Sequence, residues 1–201
     1  MAQADPGGGA PAPSTGSERV GRICLVAVEL AADAADAVAA ALSRRVAVPC
    51  EVSVRPDLPR PPRVGQREQH DADVLLRTIE ALDGGLDTVL VGITGLDLAI
   101  PIFTHVFGRA VLGGRVALVS LARLTPEFYG QPPDPALTLE RGVTEILHEL
   151  GHVAGLGHCP DRGCIMSFVP NVESLDLRGH GFCASCEPSA ARRIPLASVA
   201  S

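Results

Sequence analysis

Short apolar runs alternate along the chain with Ala-rich amphipathic stretches, and the two periods predict an αβ order. Arg22 to Glu29 (RICLVAVE) is apolar and β-branched enough for a first strand. Ala31 to Arg45 is dense in Ala, with Val38 and Leu42 on one face, and reads as a helix. Glu51 to Arg55 alternates around Val52 and Val54 as a second strand, and the Pro- and Arg-rich Pro56 to Gly65 is an irregular connection. A helix is expected over Asp71 to Leu82, a buried-type strand over Thr88 to Ile93, and another over Arg115 to Arg123 after the Gly113-Gly114 turn. Pro126 to Pro135 reads as loop. Leu139 to Val153 (LERGVTEILHELGHV) is the strongest helix, with Val143, Ile146, Leu147 and Leu150 on one face and Thr138 as its expected N-cap.

This order predicts an α/β fold with one mixed, twisted sheet and packed helices, followed by a small turn-rich C-terminal piece. A chain of 201 residues, 46% hydrophobic, is enough for one core. We expect one domain over 20–190, divided near 155–156 into an upper and a lower part, with tails at 1–19 and 191–201. The first 18 residues are mostly Ala, Gly, Pro and Ser with neither a basic nor an apolar signal region, so a disordered tail and a cytoplasmic protein are expected. No apolar run approaches the ~18 residues of a membrane span. A net charge of -6 gives no general attraction to nucleic acid or anionic lipid, and all 17 cationic side chains are Arg.

The last helix carries His148-Glu149-x-x-His152. Spacing of i to i+4 puts both imidazoles on one face, within reach of one metal, with Glu149 beside them. Gly155 can take the left-handed conformation that ends the helix and brings His158 round as third ligand. Three neutral histidines leave zinc one open position, lower the pKa of water there toward ~7, and require a nearby carboxylate as general base, the part assigned to Glu149. A chance HExxH on a helical surface is the bland alternative, and the further spacing to Gly155 and His158 argues against it.

Four cysteines crowd the last fifth of the chain as Cys159-x4-Cys164 and Cys183-x2-Cys186, the stoichiometry of a closed structural zinc. Such a site would staple a segment that has little apolar sequence of its own. Paired disulfides are the alternative, disfavoured without a secretion signal. Cys24 and Cys50 read as small buried hydrophobes. Two Zn2+ per chain are expected in all.

The run HExxHxxGxxH, then Cys159, Cys164, Met166, Cys183 and Cys186, resembles the archaemetzincins, a metzincin family with a four-cysteine zinc site next to the catalytic one. The stretch between Met166 and Cys183 is about one residue shorter than the family pattern. The likeness extends upstream through Asp97-Leu98 with Pro101, Phe107-Gly108, Ser120 to Leu124, Tyr129 and Glu140-Arg141, covering about Arg22 to Cys186. It implies a zincin fold, a cleft between an upper α/β part and a short lower part, and peptidase chemistry on peptide or protein substrates. It implies further that Met166 floors the zinc histidines and that Arg115 to Arg123 is the edge strand along which a peptide pairs. A monomer is expected. A catalytically silent peptide-binding module of the same fold is the competing reading, and intact Glu149 argues against it. A nucleic-acid-binding zinc ribbon is poorly supported, because Arg178 is nearly alone between Cys164 and Cys183 and only 3% of the chain is aromatic.

Other candidates carry less. His180 reads as a loop residue near the cysteines and His70 as solvent-facing. His105 reads as packed near the cleft. Tyr129, the only tyrosine, reads as packed, with donation to an oxyanion as the sharper alternative.

Overall fold

The computed structural model describes residues 19–197, so the stretch 1–18 read as a tail lies outside the described residues. In chain order the elements are β1 (Arg22–Val28), α1 (Ala32–Leu42), β2 (Cys50–Val54), β3 (His70–Asp71), α2 (Ala72–Glu80), β4 (Thr88–Thr94), β5 (Leu98–Ala99), β6 (Gly108–Ala110), β7 (Val116–Ser120), α3 (Pro135–Val153), α4 (Val172–Asp176) and α5 (Glu187–Arg193). Two short 3-10 turns cover Ala122–Leu124 and Pro126–Tyr129. The main sheet runs β2-β1-β4-β7-β6, with β6 antiparallel to β7 and every other pair parallel. Strands β3 and β5 pair apart from it.

Period-two alternation sorts β1 into two faces. Ile23, Leu25 and Ala27 join α1 and α3 in one core, while Val26 and Val28 join α2 in the other. Strands β4 and β7 are buried along their whole length, as strands covered on both faces must be, and their sequences are correspondingly apolar except at the ends, Thr88, Thr94 and Ser120. Each fully buried Leu or Ile here contributes about 1.5–3 kcal/mol.

Helix α3 begins earlier than its apolar pattern suggests. Asp134 is the cap, accepting from Leu137 N at 3.0 Å, and Pro135 opens the first turn. Thr138 is therefore inside the helix, its hydroxyl donating to Asp134 O. Asp followed by Pro is the stronger start signal, because the proline ring is already set for the first turn and lacks an N–H that would go unpaired.

Three further expectations are corrected. Val116–Ser120 is an interior strand, and the edge is the three-residue β6. His70 is buried, its Nδ1 donating to Pro61 O at 2.6 Å, because the proline-rich connection folds back over it. The C-terminal stretch read as a tail from 191 instead continues α5 to Arg193 and buries Ile194. Leu196 then bridges to Val46, and Ala47 N donates to Pro195 O at 2.7 Å. Among the described residues, no helix is long and apolar enough to cross a membrane.

Candidate metal centre and cleft

Helix α3 is almost wholly buried from Arg141 to Val153, so the face bearing His148, Glu149 and His152 looks into the protein and a cleft of about 540 Å³. The helix ends in a Schellman turn. Gly155 has φ 89°, its N–H reaches His152 O at 2.9 Å, and Leu156 N–H reaches Gly151 O at 2.9 Å. This reversal does two things: it swings His158 back toward the helix, and it presents Leu156 O to His152 Nδ1 at 2.8 Å. His148 is fixed in the same manner, with Nδ1 2.7 Å from Ile165 O.

Those two carbonyls decide the tautomers. A carbonyl oxygen only accepts, so both Nδ1 atoms carry the proton and both Nε2 atoms present lone pairs. The two Nε2 atoms are 3.1 Å apart. Lone pairs aimed at one another from that distance repel unless a cation lies between them, and the ligand nitrogens of His148, His152 and His158 all fall within 4.8 Å of one another. The donor set fits zinc. Burial pulls the His148 imidazole down to about 4 and that of His158 in the same direction, so both favour the neutral, ligating form.

Glu149 is fully enclosed beside this group. Its Oε2 has no hydrogen-bond partner, and burial, reinforced by the charge of Glu145, pushes its carboxyl well above the ordinary range. Its seat exists because residue 108 is a glycine: a Cβ there would come within 2.7 Å of Glu149 Cγ and 2.8 Å of its Cδ. Gly108 belongs to β6, so the sheet edge runs directly past the carboxylate, and Gly108, Arg109 and Ala110 all line the cleft. Apolar walls come from Phe103, Phe107, Leu112, Phe168 and Val169. Phe168 also packs edge-on against His158, with ring centroids 5.4 Å apart.

Met166 is wholly buried under the helix, against Gly151, where a side chain would collide with its sulfur. Ile165, whose carbonyl holds His148, precedes it directly. Cys159 N–H donates to Met166 O at 2.9 Å, tying the segment that carries His158 to the same turn.

Cys159, Cys164, Cys183 and Cys186 converge as the sequence predicts. Their sulfurs lie within 4.8 Å of one another, and those of Cys159 and Cys183 are 3.9 Å apart. Tetrahedral zinc with Zn–S near 2.3 Å separates sulfurs by about 3.8 Å, so this set also fits the metal. None of the six cysteines forms a disulfide, and the convergence of four sulfurs on one point favours a metal over paired disulfides. Main-chain N–H groups of Cys186 and Ser185 draw the Cys183 thiol down to about 7. Cys24 and Cys50 are half-buried on β1 and β2, and burial raises both thiols.

The remaining candidates fall outside this chemistry or at its margin. Tyr129 does not reach the cleft, and its hydroxyl donates to Arg123 O at 3.0 Å. His180 lies 3.6 Å from Glu140 and 3.3 Å from Thr144, away from the four sulfurs. His105 lines the cleft, packed edge-on against Phe107. The upstream blocks supply two braces, whereas Phe107-Gly108 lines the cleft: Asp97 binds Arg123 through two bonds at 2.7 and 2.9 Å, and Arg141 binds Asp176 at 2.7 and 2.6 Å. Sequence reasoning missed the Glu145–Arg178 ion pair, which is buried at the cleft floor with Nη2 2.7 Å from Oε2. The Glu-x-x-His spacing of Glu145 and His148 was the available signal.

Comparison with known proteins places the chain among characterised sequences and folds. The profile of peptidase family M54 matches residues 27–192. The archaemetzincin of Pyrococcus horikoshii is 50% identical over 95 residues, 47% of this chain and 50% of that protein, so the chain spans about half the length of that relative. The archaemetzincin of Methanocaldococcus jannaschii is 36% identical over 137 residues, 68% of this chain and 74% of that protein. Among solved structures, archaemetzincin from Methanopyrus kandleri superposes with a TM-score of 0.67 at 36% identity, covering 90% of this chain and 98% of that one. A zinc-dependent peptidase from Methanocorpusculum labreanum gives 0.67 at 28% identity, covering 84% of this chain and 99% of that one. With the profile spanning most of the sequence and the fold shared, the chain belongs to peptidase family M54.

Proposed function

We propose that the protein is a zinc metallopeptidase in which His148, His152 and His158 hold the catalytic metal and Glu149 is the general base. The observation that carries this reading is the pair of facing Nε2 lone pairs on His148 and His152, with an unpartnered carboxylate beside them. Zinc bound there supplies Lewis-acid chemistry and makes water in reach more acidic. The protein supplies the rest. Glu149, raised by burial, takes the proton from attacking water and returns it to the departing amine. The free edge of β6, passing the carboxylate at Gly108, offers main-chain groups along which an extended peptide can pair. Apolar walls at Phe103 and Phe168 bind side chains flanking the cut.

Cys159, Cys164, Cys183 and Cys186 are proposed to hold a second, structural zinc, making two per chain and stapling the lower part of the molecule, about 156–190, to the upper. We propose peptides or proteins as substrates and a cytoplasmic monomer, and the net charge of -6 gives no general attraction to nucleic acid or anionic membrane. Incubating the full-length protein with a mixed peptide library and reading the products by mass spectrometry tests the reading. Cleavage should stop with a chelator and return on adding zinc. Cleavage that survives complete metal removal would refute it.

A further inference from the structure

We propose that Arg178 is a positioning residue that holds the Glu145 carboxylate away from the metal, so that the three histidines keep one coordination position open. This inference rests on the metal reading above. Glu145 and His148 stand at i and i+3 on α3, a spacing at which a carboxylate and an imidazole together ligate metals in helical sites. Ligand atoms of Glu145, His148 and Glu149 lie within 4.8 Å of one another, and all three side chains are buried. A carboxylate in such a place requires a cation, because an isolated charge out of water is strongly disfavoured.

Arg178 is that cation. Its side chain is 1% exposed, its Nη2 donates to Glu145 Oε2 at 2.7 Å, and its Nη1 lies 3.1 Å from His148 Nδ1. The same ring nitrogen faces Ile165 O at 2.7 Å, the shorter of its two contacts, so His148 Nδ1 is met by both the carbonyl and the guanidinium. Arg178 is delivered from beyond α4, which Arg141 clamps to α3 through Asp176. Its removal would leave the metal as the nearest cation for Glu145. A fourth protein ligand closes a zinc site in the manner of structural sites and shuts out the group to be cleaved.

The test uses full-length protein loaded with cobalt(II), with the difference spectrum on adding acetohydroxamate as readout. A closed four-cysteine site does not respond to that ligand, so the difference reports the histidine site alone. Wild type should show a band shift. Arg178→Met, and the companion Arg178→Gln, should lose the shift and release cobalt to a chelator more slowly than wild type. Arg178→Lys should keep the shift, and adding Glu145→Gln to Arg178→Met should restore it, since an amide is a poorer ligand. An unaltered shift in Arg178→Met, or a loss that Glu145→Gln does not restore, overturns the inference. If wild type gives no shift and binds no more cobalt than His152→Ala, the metal reading itself fails.

Discussion

Glu149 is seated against the main chain of Gly108, and no other residue type leaves that seat empty. Gly108→Ala would place a methyl within 2.7 Å of Glu149 Cγ and displace the carboxylate. A shift of about 1 Å in a reacting group costs on the order of a hundredfold. Gly108→Ala should therefore lower kcat about 10- to 100-fold while zinc content stays unchanged. Steady-state kinetics beside metal analysis checks this, and unchanged kcat would mean Glu149 is not held by β6.

How far the sequence reveals this arrangement depends on how local each signal is. The histidine-bearing helix and the four-cysteine cluster are legible because i to i+4 spacing, a C-terminal glycine and paired cysteines act over a few residues. Strand β6 is not legible: Gly-Arg-Ala has no strand propensity, and β7 imposes its conformation. The burial of His70 depends on a carbonyl at Pro61, and that of Arg178 on Glu145, 33 residues away. The body past residue 190 depends on Leu196 meeting Val46. Partners so remote leave no periodic trace.

Tyr129 gives a negative prediction. Its hydroxyl is engaged with Arg123 O outside the cleft. Tyr129→Phe should leave kcat/KM within about twofold and lower stability by about 1 kcal/mol. Denaturant unfolding and kinetics on the same preparation check both parts, and a large loss of kcat would return Tyr129 to the active site.

The cysteine site should act on the histidine site through the chain. His158 is followed directly by Cys159, whose N–H holds Met166 O. Cys183→Ser should lose the second zinc, lower stability by more than about 3 kcal/mol, and weaken metal retention by the histidines. Zinc counts and thermal melts check this. Full zinc at the histidines with an unchanged melt would disconnect the two sites.

Burial also sets a pH dependence, clearest in zinc-free Glu149→Gln, where the buried carboxylate no longer titrates. His148 falls from an ordinary 6.5 to about 4 in the folded state. The unfolded chain therefore binds the proton first, and stability is fully present above 6.5 and falls as the pH drops toward about 4. The loss attributable to His148 is about 3 kcal/mol. Chemical denaturation across that range should show the fall, and adding His148→Asn should remove the part due to His148, leaving that of His158, which burial lowers in the same direction.

Counting zinc and measuring peptide turnover in wild type and Glu149→Gln, side by side, tests Glu149 as the general base of a zinc peptidase. Both proteins should carry two zincs per chain, with cleavage in wild type and none detectable in Glu149→Gln. Undiminished cleavage by Glu149→Gln with its zinc in place would contradict that role.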